Sequence, residues 1–188
     1  MLRIARSLGM TLIAMLAISG VASAHNFKST ATGNLKAVSN QNQVFSTGIG
    51  STVTCKKVTI AKGTASTGEQ LHVLVEIHYD ECKAEGFGLK LEAAIHLAQY
   101  LFNADNELVK LENTIVILIP GICQITVKPQ DLKAVLYKTS GKHVVVEPHV
   151  SGITSEGSGS VCGSGVSTTG TYTGNTEVEV EGGEISWS

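Results

Sequence analysis

Leu71 to Tyr79, LHVLVEIHY, alternates strictly between apolar and more polar positions, and its reading decides the fold class. Successive side chains of a strand point to opposite faces, so Leu71, Val73, Val75, Ile77 and Tyr79 are expected on one side. His72, Leu74, Glu76 and His78 are expected on the other. This is the pattern of a half-buried antiparallel strand. It sits just before Cys82, inside the bracket formed by Cys55 and Cys82.

Upstream, His25 to Thr30 (HNFKST) and Asn34 to Val38 (NLKAV) read as short edge strands with Gly33 as the turn. Gln43 to Thr47 and Ser51 to Cys55 are joined through Gly48 and Gly50, a hairpin signal. Lys57 to Ala61 should turn Val58 and Ile60 inward, and Gly63 to Gly68 is a loop. Downstream, Gly86, Phe87 and Gly88 form a bend. Leu89 to Phe102 (LKLEAAIHLAQYLF) is ambiguous, because its Leu, Ala, Glu and Gln favour helix. Yet Leu91, Ala93, Ile95, Leu97, Gln99 and Leu101 alternate with more polar partners, and we read it as mostly strand.

Asn103 to Asn106 is a turn, followed by Leu108 to Leu111. The continuous apolar run Thr114 to Ile119 (TIVILI) reads as a strand buried on both faces, stopped by Pro120 and Gly121. Ile122 to Val127, Ala134 to Thr139 and His143 to Ile153 are further strands. Thr154 to Gly170, rich in Ser and Gly, would read as linker without the tether of Cys162. Thr171 to Thr173, Thr176 to Val180 and Glu184 to Trp187 complete the sheet. With 20 Gly, 3 Pro and little helix punctuation, the class is all-β, a disulfide-stapled antiparallel β-sandwich or partly open barrel.

Residues 1–24 have the form of a secretory signal peptide: Arg3 and Arg6, then an apolar run from Met10 to Ile18, then Val21-Ala22-Ser23-Ala24. Cleavage after Ala24 is expected, with Ala22 the competing site. Residues 25–188 then form a single secreted β-domain, located in the medium or outside the cell envelope, without an integral membrane segment. Arg3 and Arg6 are the only arginines, so the mature chain has 12 Lys against 16 acids. Without a guanidinium fork for phosphate or guanine, and with an acidic balance, no nucleic-acid partner is expected. Four cysteines in an exported chain most simply form two disulfides. Three pairings are possible; Cys55–Cys82 with Cys123–Cys162 is favoured because each closes a local strand-turn-strand loop, stabilising by roughly 3–4 kcal/mol. Structural zinc is the rival, but no two cysteines have the close spacing it uses.

QVFSTGIGSTVTC (Gln43 to Cys55), YDECKAEGFG (Tyr79 to Gly88), GICQITVKPQ (Gly121 to Gln130) and the ending CGSG…GTYTG (Cys162 to Gly174) resemble a group of uncharacterised exported proteins of actinobacteria. The similarity spans nearly the whole mature chain and implies no activity. Such relatives often carry an extra Cys pair where this chain has Ala98 and the run Ile115 to Ile119. A joint loss leaves Cys55–Cys82 and Cys123–Cys162 undisturbed and implies neighbouring strands for the two stretches, hence strand for Ile95 to Phe102.

Candidate chemistry is sparse. His72 to His78 and His143 to His149 share the pattern HVxVExH, so Glu76 lies beside His78 and Glu147 beside His149. If the two strands were neighbours, these four side chains could hold zinc or copper. The plainer reading is two solvated strand faces. A mature N-terminal His25 could hold copper through its amine and ring, with His96 or His149 as partner. That arrangement resembles copper-dependent polysaccharide monooxygenases, although no motif beyond His25 matches. No GxSxG or P-loop is present, and no catalytic residue stands out. Glu177, Glu179 and Glu181 read as a solvated edge rather than a calcium site. One Trp, Trp187, argues against a sugar-binding platform. The expectation is a non-enzymatic exported β-domain, structural, adhesive or binding. A copper- or zinc-binding protein and a hydrolase with an unrecognised site are the alternatives, with no cofactor in the first reading.

Overall fold

The computed structural model describes residues 24–39, 41–86, 89–159, 162 and 164–188. The predicted signal peptide therefore lies outside the described residues apart from Ala24, as do Phe87 and Gly88 of the predicted bend. The strands are β1 (Phe27–Ser29), β2 (Gly33–Ser39), β3 (Gln43–Ser46), β4 (Ser51–Ala65), β5 (Gly68–Gln70) and β6 (His72–Gly86). Next come β7 (Leu89–Ile95), β8 (Ala98–Asn103), β9 (Leu108–Leu111), β10 (Ile115–Ile119), β11 (Cys123–Val127) and β12 (Gln130–Leu132). The last are β13 (Val135–Ser140), β14 (His143–Ser158), β15 (Gly165–Thr173), β16 (Thr176–Val180) and β17 (Ile185–Trp187). The fold is all-β and every pairing is antiparallel. No helix among the described residues is long and apolar enough to cross a membrane.

One set of pairings closes on itself: β4–β6–β7–β10–β11–β14–β15–β3 and back to β4. The other ends of the long strands β4, β6 and β14 belong to a second arc, β12–β9–β8–β6–β4–β2–β16–β14–β13. This arc stays open between β12 and β13, where Tyr137 Oη donates to the Leu108 carbonyl at 3.2 Å. Two barrel halves, one closed and one partly open, thus share three strands. The small sheet β17–β1–β5 contributes Phe27 and Ile185 to the core at the open half.

Each shared strand changes its inward-facing parity where it passes between the halves. On β4, Val53 and Cys55 are buried, then Lys56 and Lys57 are both exposed, then Val58 is buried. On β6 the buried set runs Val73, Val75, Ile77, Tyr79 and then Cys82, Ala84, with Glu81 at φ 53° between them. On β14, Val144, Pro148 and Val150 give way to Ser155 and Gly157 across Gly152, whose φ of 77° favours a residue without Cβ. At this waist Cys55 lies directly opposite Cys82 and is bonded to it. Cys123–Cys162 is the second disulfide, and no cysteine is free. Such bonds are typical of oxidising compartments.

Several boundaries differ from those expected. Leu71 precedes β6 and is 39% exposed, so the inward set begins at Val73. Leu89 to Phe102 is two strands broken at His96 and Leu97, because β6 pairs first with β8 and then with β7. Asn113 clamps the break, accepting from the Gln99 amide at 2.7 Å and donating to the Leu97 carbonyl at 2.8 Å. Parity switches there too: Ala98 and Tyr100 are buried, while Gln99 and Leu101 take the other face. β10 buries Ile115, Ile117 and Ile119 and leaves Val116 and Leu118 half-covered, rather than burying both faces. β1, β2 and β16 each have partners on both sides, so none is an edge. The Ser- and Gly-rich Thr154 to Gly170 is largely the ends of β14 and β15, and Ser155 and Ser167 are buried.

Candidate functional site

β-Strands present alternate residues to the barrel interior, and in the partly open half those residues are almost all branched aliphatics or aromatics. They surround a cavity of about 70 Å³. Val58 and Ile60 of β4, Val73, Val75, Ile77 and Tyr79 of β6, Tyr100 and Phe102 of β8, Val135 of β13, and Val144 and Val146 of β14 form most of its wall. Its polar side chains are confined to Tyr79, Tyr100, Tyr172 and Thr176. A second cavity, about 40 Å³, lies in the closed half among Ile95, Leu111, Ile117, Ile125 and Ile153. Tyr100, Leu132 and Tyr172 line both cavities and so form the partition between them.

That partition is held by a chain of polar contacts in an apolar core. Tyr79 Oη donates to Tyr100 Oη at 3.0 Å and lies 3.4 Å from Tyr172 Oη. Tyr172 donates to Gln43 Oε1 at 2.6 Å. Gln43, fully buried, spends its amide hydrogens on the Asn175 carbonyl at 3.1 Å and its neighbours Thr176 and Gln41. Phe45 stacks on Tyr172 at 4.4 Å and meets the Tyr79 ring edge-on at 5.1 Å. Burial raises all four tyrosines of the chain above the ordinary phenol range, Tyr100 to about 12. The native protein is therefore expected to develop almost no phenolate absorbance at about pH 10, where unfolded tyrosine is half ionised. Because the folded values are raised, the stability contributed by these phenols is full below about pH 10 and is lost as pH climbs toward about 12. Ultraviolet titration beside an alkaline unfolding curve checks both.

Beside the larger cavity, β2 and β4 run side by side with a short ladder. β2 pairs with β4 only at Gly33–Ala65 and Asn34–Thr64, beyond which the two strands share no ladder among the described residues. Ala37 of β2 and Ile60 of β4 both line the larger cavity and are half-buried. Val38, beside Ala37, is 51% exposed.

The metal-ligating residues named from the sequence are not drawn together. β6 and β14 share no ladder, so Glu76 with His78 and Glu147 with His149 stay on separate strands. Glu76 instead meets Lys62 at 3.2 Å and accepts from Gln99 at 2.8 Å, and the Gln99 contact leads in holding its carboxyl below the ordinary range. Glu147 meets Lys138 at 2.5 Å and Asn175 at 3.1 Å. His78, His96 and His149 are exposed. The His25 amide donates to Asp105 at 3.3 Å and its ring lies 4.6 Å from that of Trp187. No cluster of three or more His, Cys, Asp or Glu side chains suited to a metal occurs among the described residues. Glu181 pairs with Lys36 at 2.8 Å and Asn34 at 2.9 Å, and Glu177 lies 3.5 Å from His143. The sequence signal for the cavity was the inward set of β6 itself; Tyr100 and Gln43 carried none, since neither parity nor partner was readable there. No family model matches the chain, and no curated protein or solved structure matches it.

Proposed function

We propose that this chain is an exported β-domain whose role is to bind a small apolar molecule inside the partly open barrel half. The observation that carries this reading is the larger cavity: an apolar lumen inside the barrel half that stays open between β12 and β13. Apolar surface left unfilled forfeits dispersion contacts, so a guest that fills it gains them without reordering the wall. An aliphatic guest needs no catalytic group, and the lining supplies hydrophobic contact and little else. The signal-like residues 1–24 and the two disulfides support a place outside the cytoplasm.

The test is a titration with n-butane or xenon, followed by backbone amide NMR. Saturable shifts at Val75, Val135 and Val146 are expected, and a spectrum indifferent to both gases would sink the reading. Ala37→Phe, placing a ring against the larger cavity that Ala37 lines, is expected to weaken the butane response at least tenfold while the remaining amide shifts stay put.

A further inference from the structure

We propose that the guest of this cavity is short, neutral and apolar, that it carries one hydrogen-bond acceptor such as a ketone, ester or ether oxygen, and that Tyr100 donates to that oxygen. This rests on the reading of the lumen as a binding site and adds the chemistry of what it takes. Tyr100 is 3% exposed and lines both cavities. Its hydroxyl oxygen accepts from Tyr79 at 3.0 Å, whereas its own hydrogen meets no acceptor among the described residues. The neighbouring hydroxyls are engaged, since Tyr172 donates to Gln43 at 2.6 Å and Tyr79 donates to Tyr100. A buried donor without an acceptor is costly and uncommon, and a guest oxygen at this point satisfies it.

Size and charge narrow the class. At about 15 Å³ of cavity for each water-sized group, 70 Å³ holds roughly four or five heavy atoms. Neither lining contains a Lys, Arg, His, Asp or Glu. A carboxylate brought inside would exchange its hydration for a single hydroxyl, and an ammonium would find no anion. The phenols of the partition are themselves held neutral by burial, as any ionisable guest would be. Free short-chain acids and amines are therefore excluded in their charged forms, and a neutral carbonyl or ether is admitted.

Three four-carbon probes separate the possibilities: n-butane, 2-butanone and butanoate, titrated at pH 7 into the native chain and into Tyr100→Phe, with amide NMR as the readout. Phe keeps the ring and removes the hydroxyl. The expected result is a loss of about three- to tenfold in 2-butanone affinity in Y100F, with butane affinity unchanged within twofold and no saturable butanoate binding to either protein. Retained butane binding also shows that Y100F is folded around an intact cavity. Butane binding with unaltered 2-butanone affinity in Y100F, or butanoate binding as tight as that of the ketone, overturns the assignment while the lumen reading stands. Silence from butane in the native chain overturns the lumen reading and the assignment with it.

Discussion

Leu111→Ala is expected to lower the unfolding free energy by about 3–5 kcal/mol, the upper part of the range for buried leucine truncations. Leu111 is 1% exposed and lines the 40 Å³ cavity of the closed half. The cost of such a truncation grows with the hole left behind. Here the hole merges with an existing one, and a wall of paired strands has little freedom to collapse into it. Leu74→Ala is the control, because Leu74 is 53% exposed on the outer face of β6 and should change stability by no more than about 0.5 kcal/mol. Urea unfolding of the two variants, compared at their midpoints, measures the difference. Equal losses would mean that the closed half is not the packed core described above.

The double variant C55A/C82A should lose about 3–4 kcal/mol from freed chain entropy alone, and lost packing adds to it, since Cys55 and Cys82 are 0% and 3% exposed. C123A/C162A opens a longer loop, 39 residues of separation against 27. In the chain-entropy description that difference is worth only about 0.3 kcal/mol. Packing therefore decides the order, and Cys162 is only half-buried. The Cys55–Cys82 variant should be the less stable of the two by urea midpoint, and the reverse order would show that the waist is not where the barrel halves are held together.

Those two disulfides were legible in the sequence because the cysteines bracket strand pairs, and the all-β class was legible because β6 alternates. What could not be read is the parity change. An alternation rule assumes one unbroken register, and the change at Lys56 and Lys57, at Glu81, at Leu97 and at Gly152 breaks it four times. An alternation running unbroken from Leu91 to Leu101 would set Tyr100 on the face opposite Ile95, whereas the break at Leu97 buries both. Edge positions were misjudged for a related reason: β1, β2 and β16 are short, but their partners come from distant parts of the chain. The repeated HVxVExH pattern gave a metal hypothesis whose geometric condition, adjacency of β6 and β14, is unmet because each is flanked by other strands.

The cap over the open half joins residues from opposite ends of the described chain. Asn26 and Ser188 exchange backbone hydrogen bonds at 2.8 and 3.1 Å, and Lys28 sits beside Ser186, 158 positions away. Contacts at such separation carry a large loop-closure cost and form late. The ribosome makes Phe27–Ser29 long before Ile185–Trp187, so β1 waits for β17 while the strands between them are made. The small sheet is thus a late addition to a barrel whose other strands are already made.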